Sequence, residues 1–145
     1  MITVLLVDDH AYIRKGIQDL LGAAADIQVV ATVSNGIEAV AKARLFQPDI
    51  VVLDISMPFM NGIEATQHIC AGCPRTRVLT LSIYDNLEYV HSALEAGVYG
   101  YVLKDKIADE LLDAIYSLHE GQRYFSQKIA ASVHPYIEDD SISAV

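Results

Sequence analysis

Short apolar runs alternate with helical segments along this chain, and that alternation restricts the fold more than any other feature. The runs cover residues 4–7, 29–33, 50–53, 78–81 and 99–103. The segments between them carry apolar residues at three- and four-residue spacing, which is typical of amphipathic helices. Because a helical crossover returns the chain to the same edge of a sheet, consecutive strands pair in parallel. The pattern predicts an α/β fold, a doubly wound (βα)5 sandwich with a parallel five-stranded sheet.

The boundaries between segments and the C-terminal residues suggest how the chain is divided. Asn35 followed three residues later by Glu38 resembles a capping box at the start of a helix. Near the C-terminus a short helix is predicted over 126–133, interrupted by the His134-Pro135 pair. We predict one domain over residues 1–122. We expect residues 123–145 to form that short helix and an acidic linker.

Charge and hydropathy exclude several classes of function. The formal net charge is −9, and so acidic a surface repels the phosphate backbone of nucleic acids. No run reaches the roughly 20 apolar residues of a membrane-spanning helix, and the first residues lack the basic flank of a signal peptide. We expect a cytoplasmic protein that has no membrane partner and does not contact DNA through this segment.

The two cysteines, Cys70 and Cys73, have the spacing of a redox pair. Such pairs lie at a helix N-terminus, which lowers the thiol pKa, whereas these two follow a helical pattern and precede Pro74. Two cysteines without nearby histidines also leave a zinc shell incomplete. The pair therefore favours neither redox chemistry nor zinc binding.

Acidic residues follow two of the predicted strands. Asp8 and Asp9 come directly after the first strand, and Asp54 directly after the third. In an open parallel sheet, ligands bind beyond the carboxyl ends of the strands where the strand order reverses. With strands in the order 2-1-3-4-5, the first and third are neighbours about 4.8 Å apart, and the three carboxylates converge.

Like charges about 4 Å apart repel by about 4 kcal/mol in a surface-like dielectric, so the converging acids require a cation. Oxygen ligands with room for several waters favour Mg²⁺. Lys104, directly after the fifth strand, brings an ammonium group to the same edge, and Ser82, after the fourth, adds a hydroxyl. Taken singly, Ser82 is also a plausible helix cap, and Asp8 or Asp9 a plausible N-cap. Their joint placement at one sheet edge favours a functional site.

Four segments resemble the signature of response regulator receiver domains. They are Val7-Asp8-Asp9-His10, Asp54-Ile55-Ser56-Met57-Pro58-Phe59-Met60-Asn61-Gly62, Leu81-Ser82 and Gly100-Tyr101-Val102-Leu103-Lys104. They occur in the family's order and at the expected strand ends, over residues 1 to about 120. The resemblance implies the flavodoxin-like strand order 2-1-3-4-5.

The resemblance also implies roles for the acids. Asp54 would be the phosphoacceptor, a carboxylate nucleophile that forms an acyl phosphate. Asp9 and Asp54 would bind Mg²⁺ together with the backbone carbonyl of Ser56, and Asp8 would act through water. The domain would then be a signalling switch and not an enzyme, since it catalyses only its own phosphorylation and dephosphorylation.

The remaining family positions imply a conformational switch. Lys104 would bind the phosphoryl group, Ser82 would move to hydrogen-bond it, and Tyr101 would fill the space that Ser82 leaves. By propensity alone, Tyr101 is an ordinary strand aromatic. Two positions depart from the broader pattern: Asp105 stands where many receivers have a proline, and His10 where many have a third acid.

These departures, with the segment Glu120-Gly121-Gln122-Arg123-Tyr124-Phe125-Ser126, resemble the NarL/FixJ subfamily of transcription factors with a LuxR-type helix-turn-helix. That resemblance implies a sensor histidine kinase as phosphodonor and a homodimer on phosphorylation. DNA would be bound only through a C-terminal helix-turn-helix domain absent from this chain. A stand-alone receiver is the alternative.

Two other functions use similar features. A Mg²⁺-dependent phosphohydrolase also has a strand-end Asp nucleophile, but it usually carries a second acid where this chain has Ser56. A flavodoxin-like FMN carrier needs a loop after the first strand that cradles phosphate, and the acids at 8 and 9 would repel one. Both fit the chain less well than a receiver.

Overall fold

A parallel sheet of six strands forms the centre of the fold, in the order β2-β1-β3-β4-β5-β6. The computed structural model describes residues 1–57 and 60–137. The strands are β1 (Ile2–Val7), β2 (Ile27–Val33), β3 (Ile50–Asp54), β4 (Arg77–Ser82), β5 (Gly100–Leu103) and β6 (Tyr124–Phe125). The predicted α/β class and the order of the first five strands are confirmed, but the predicted number of strands is one too few.

Within residues 1–57 and 60–137, six helices flank the sheet. They are α1 (Ala11–Gly22), α2 (Gly36–Phe46), α3 (Gly62–Gly72), α4 (Leu87–Ala96), α5 (Ile107–His119) and α6 (Gln127–Ile137). A single 3₁₀ turn, Lys104–Lys106, joins β5 to α5. The predicted cap of α2 is present, since the Asn35 side chain accepts a hydrogen bond from the Glu38 N–H at 2.9 Å.

Each face of the sheet has its own apolar core, because successive strand residues point to opposite faces. On β1, Leu5 and Val7 face the core formed with α2, α3, α4 and α6. Val4 and Leu6 face the other core, formed with α1 and α5. All four side chains are fully buried. A sheet covered on both faces leaves its carboxyl and amino ends as the places where polar groups gather.

The residues after α5 belong to the same packed body as the sheet. Tyr124 and Phe125 pair in parallel with Gly100 and Tyr101 of β5, and Phe125 is buried. This strand was missed because two residues are too few to show the alternation that reveals a strand, and its partner is distant in sequence.

The helix predicted over 126–133 is present but longer, since α6 runs from Gln127 to Ile137. The expected interruption at His134-Pro135 is therefore wrong. A proline near the end of a helix removes one N–H donor, and the buried residues Ile129 and Val133 hold the preceding turns against the core. The predicted acidic linker falls on residues 138–145, which lie outside the described residues.

In the part of the chain that the structure describes, no helix is both long enough and apolar enough to cross a membrane. Cys70 and Cys73 are both free thiols near the C-terminal end of α3. Burial raises the pKa of the Cys70 thiol, an effect that disfavours the reactive thiolate.

Candidate functional site

The strand register brings the acids together at the carboxyl end of the sheet. β1 pairs with β3 so that Val7 lies opposite Leu53. Asp8, directly after β1, and Asp54, the last residue of β3, therefore lie side by side at the same level. β1 also pairs with β2 on its other side, so the chain reverses its direction of winding at this point. This is where an open α/β sheet forms its ligand crevice.

Asp54 is almost fully buried, with 1% of its surface exposed. Its Oδ1 accepts a hydrogen bond from the Ser56 backbone N–H at 3.0 Å, and its Oδ2 accepts one from Lys104 Nζ at 3.0 Å. Burial raises the pKa of the Asp54 carboxyl above its ordinary value, while the hydrogen bond from Lys104 acts in the opposite direction. The carboxylate is thus fixed at both oxygens.

The other two acids are less well compensated. Asp8 is fully buried, and its Oδ1 accepts a hydrogen bond from the His10 N–H at 2.8 Å. Its Oδ2 lies 3.8 Å from Lys104 Nζ, too far for a hydrogen bond. Among the described residues, Asp8 Oδ2 and Asp9 Oδ1 are buried oxygens that accept no hydrogen bond. Asp8 and Asp54 therefore share the ammonium group of Lys104, and Asp9 lies beside the His10 imidazole.

This donor set suits a hard divalent cation. One oxygen from each of Asp8, Asp9 and Asp54 and one nitrogen of His10 all lie within 4.8 Å of one another. Buried carboxylate oxygens without hydrogen-bond donors destabilise the folded state unless a cation contacts them. Carboxylates that leave room for water and phosphate oxygens are the ligands that Mg²⁺ accepts, so the residues present fit that ion.

Ser82 and Tyr101 are both buried beside the site and share a loop residue. Ser82 ends β4, and its Oγ accepts a hydrogen bond from the Tyr84 N–H at 2.9 Å. The Tyr101 hydroxyl donates to the Tyr84 carbonyl at 2.7 Å, and its ring is fully buried. Burial also raises the pKa of Tyr101, which keeps the hydroxyl protonated as a donor.

Several residues that sequence reasoning missed hold the site in place. Arg14 Nη1 donates to the Asp8 carbonyl at 2.6 Å and so ties α1 to the loop after β1. Gly62 begins α3 against the loop after β3, and a Cβ there would lie 2.5 Å from the Ile55 Cα. The sequence pattern gives the Asn61-Gly62 pair no individual role. Its signal was the Asn-Gly sequence itself, since Asn61 caps α3 by accepting from the Glu64 N–H at 2.9 Å.

An open groove of about 560 Å³ gives access to the site from one side. Asp9 and Ser56 lie at its polar end. Its other wall includes Tyr84 and Tyr89, whose rings stack with centroids 4.1 Å apart. Asp9 is therefore reachable by a ligand that arrives between the loops after β3 and β4.

Comparison with known proteins agrees with this architecture. The family model for the response regulator receiver domain matches residues 4–116. Transcriptional regulatory protein LnrK of Bacillus subtilis (strain 168) is 37% identical over 133 residues, which are 92% of this chain and 60% of LnrK. The chain thus spans about 60% of the length of such curated relatives.

Two solved structures share the fold closely. A LuxR-family two-component response regulator from Aurantimonas sp. SI85-9A1 has a TM-score of 0.87 and 35% identity, covering 92% of this chain and 96% of that one. The signal receiver domain of the putative response regulator NarL from Mycobacterium tuberculosis has a TM-score of 0.80 and 30% identity, covering 83% of this chain and 98% of that one. The chain belongs to the response regulator receiver domain family, among the regulators of the NarL and LuxR type.

Proposed function

We propose that Asp54 accepts a phosphoryl group from a sensor histidine kinase and that the modified domain changes its surface to control a transcriptional output. One observation carries the proposal. Asp54 is a buried carboxylate whose two oxygens are held by the Ser56 N–H and by Lys104 Nζ, beside two further acids at the ligand crevice of the sheet.

The transfer needs no general base. A carboxylate oxygen of Asp54 attacks the phosphorus of a phosphohistidine, the P–N bond breaks, and the imidazole nitrogen takes the electron pair. The demand on the site is therefore positioning and charge neutralisation. Lys104 supplies a cation 3.0 Å from Asp54 Oδ2, where it can bind a phosphoryl oxygen after transfer.

The acids around Asp54 would hold Mg²⁺. We assign Asp9 and Asp54 as direct ligands, with the backbone carbonyl of Ser56, and Asp8 as a ligand through water. When bound, the ion neutralises the carboxylates and the phosphoryl oxygens. Asp8 Oδ2 and Asp9 Oδ1, which accept no hydrogen bond from the described residues, support this assignment. Arg14 holds the Asp8 carbonyl and so keeps the first acid loop in position.

Ser82 and Tyr101 would change their arrangement when Asp54 is phosphorylated. Ser82 Oγ accepts from the Tyr84 N–H, and its own O–H, which also interacts with the Tyr101 hydroxyl, can turn to donate to a phosphoryl oxygen. Such a bond would pull on the loop that carries Tyr84. Because the Tyr101 hydroxyl donates to the carbonyl of that same residue, the loop and the ring would respond together. Phosphorylation then shifts the population of two loop arrangements.

The output is part of the same proposal. Members of this family act with sensor histidine kinases, and the relative LnrK is named a transcriptional regulatory protein. We infer a phosphorylation-dependent homodimer, a cytoplasmic location and DNA binding through a helix-turn-helix domain beyond this segment. A two-fold protein suits the paired half-sites that such domains read. In this role the domain is a switch and not a turnover enzyme.

Incubation with acetyl phosphate and MgCl₂, followed by intact-mass analysis, tests the acceptor. The wild-type chain should gain one phosphoryl group, and Asp54→Asn should gain none. Asp9→Asn should still be modified, but more slowly and with a weaker dependence on Mg²⁺. Release of phosphate over many turnovers without a stable modified form would favour a phosphohydrolase and overturn the proposal.

A further inference from the structure

We infer that His10 contributes an imidazole nitrogen to the metal site, so that the pocket distinguishes first-row transition ions from Mg²⁺. The inference rests on the proposed cation site at Asp8, Asp9 and Asp54 and adds a ligand of different chemistry to it. His10 is the residue before α1, with an extended backbone at φ −94° and ψ 109°. Its N–H donates to Asp8 Oδ1, and this short turn holds the residue beside the acid pair.

The distances around the imidazole match those of ligands around one ion. His10 Nδ1 lies 3.2 Å from Asp9 Oδ1 and 3.4 Å from Asp8 Oδ1. Adjacent ligands of an octahedral ion at about 2.1 Å lie about 3 Å apart, and opposite ligands about 4.2 Å apart. The whole set, with Asp54, falls within 4.8 Å. With small shifts of these side chains, one ion could contact His10 Nδ1, Asp9 and Asp54 directly and Asp8 through water.

A shared metal ion would account for these contacts. A neutral imidazole has one N–H and one lone-pair nitrogen, and the lone-pair nitrogen approaches a carboxylate oxygen favourably only if a metal ion lies between them. Asp9 Oδ1 is buried and accepts no hydrogen bond within the described residues, although His10 Nδ1 lies 3.2 Å away. Asp8 Oδ2, on a fully buried side chain, likewise accepts no hydrogen bond within the described residues.

An added nitrogen changes which ions the pocket prefers. Sites made only of carboxylate, carbonyl and water suit Mg²⁺, whereas imidazole suits ions such as Zn²⁺ and Ni²⁺. A mixed site holds transition ions through both donor types and Mg²⁺ through its oxygens alone. Removal of His10 should therefore weaken the binding of transition ions selectively.

Titration calorimetry with CoCl₂ and with MgCl₂, each alone and on tag-free protein, tests the inference. His10→Ala should weaken Co²⁺ binding at least about tenfold and change Mg²⁺ affinity by less than about twofold. His10→Gln keeps a polar side chain but offers oxygen in place of the aromatic nitrogen, and it should lose Co²⁺ affinity in the same way. The visible absorption of bound Co²⁺ should change in both variants.

His68→Ala is the matched control, because His68 is exposed on α3 and lies outside the cluster of possible ligands among the described residues. It should bind both ions as the wild type does. Equal losses for Co²⁺ and Mg²⁺ in His10→Ala, or no loss for either, would overturn the inference and leave the phosphorylation proposal standing. A wild-type chain that binds neither ion would overturn both the inference and the proposed Mg²⁺ site.

Discussion

Charged side chains lie at both ends of the sheet, but the two ends stabilise them differently. At the carboxyl end, three carboxylates cluster around one ion-pairing lysine that reaches two of them, and two buried oxygens accept no hydrogen bond within the described residues. At the amino end, the guanidinium groups of Arg77 and Arg123 lie 4.4 and 4.5 Å from the centroid of the Tyr99 ring. Arg77 also donates to the Leu118 carbonyl and Arg123 to the Val98 carbonyl.

This difference separates a functional end from a structural one. The arginines at the amino end gain stacking and hydrogen bonds without any ligand, and they join residues next to β4, β5 and β6. The acids at the carboxyl end become favourable only when a further cation joins them. Sites of function commonly carry such a cost in stability. The comparison predicts that substitutions at the two ends will have opposite effects on folding.

The largest expected effect is on phosphorylation. Asp54→Asn should reduce phosphoryl transfer from acetyl phosphate by at least about a thousandfold, because the nucleophilic oxygen is replaced by an amide. Intact-mass time courses measure the rate. Tyr99→Phe at the amino end is the matched control and should be modified at the wild-type rate. If Asp54→Asn were modified at the same rate as the wild type, Asp54 would not be the phosphoacceptor.

The same substitution should stabilise the metal-free fold. The pKa of Asp54 is raised above its ordinary value of 3.8, chiefly by burial. A raised carboxyl pKa contributes stability below pH 3.8 that is lost as the pH rises through the folded-state pKa. At neutral pH, Asp54→Asn should therefore be more stable than the wild type by about 1–2 kcal/mol.

Urea unfolding in EDTA at several pH values measures that difference. The advantage of Asp54→Asn should shrink as the pH falls towards 3.8, since the wild-type carboxyl then takes up a proton. Adding MgCl₂ should also reduce it, because the ion stabilises the wild-type site by binding the folded state. A variant that is less stable than the wild type at pH 7 in EDTA would contradict the claim that the metal-free acid cluster destabilises the fold.

At the amino end the expected change in stability has the opposite sign and is smaller. Tyr99→Leu should lower the free energy of unfolding by about 1 kcal/mol, since two guanidinium groups lose an aromatic face. Tyr99→Phe keeps that face and should lose much less. Phosphorylation should be unaffected in both variants. Equal losses for Leu and Phe would show that the ring hydroxyl matters and that the cation–π contacts do not.

The smallest effect is expected from an exposed pair near the carboxyl end. Lys128 Nζ lies 2.8 Å from Asp85 Oδ2, and both side chains are solvent-exposed. The hydrogen bond raises the pKa of Lys128 and lowers that of Asp85. Because water screens such pairs, Lys128→Ala should leave the melting temperature unchanged within error. A clear loss of stability would mean that proximity to the carboxyl end, and not burial, decides how much a charged pair contributes to the stability of the fold.

Much of the site follows from strand ends that are visible in the sequence. The acids at 8, 9 and 54 and Lys104 each come directly after an apolar run, and parallel pairing brings such positions to one edge. The extended network is not predictable in that way. Tyr84 joins Ser82 to Tyr101 through its backbone N–H and carbonyl, which every residue type has, so no side-chain pattern marks it.

By itself, the sequence determined the alternation of strands and helices, the capped start of α2 and the chemistry available at each strand end. These are local properties, set by periodicity and by residues a few positions apart. The tertiary structure alone decided the pairing of β6 with β5, the stacking of Arg77 and Arg123 on Tyr99, and the placing of His10 Nδ1 against both acids. Each of these depends on register, backbone direction or rotamer, and such quantities become fixed only when distant segments pack together.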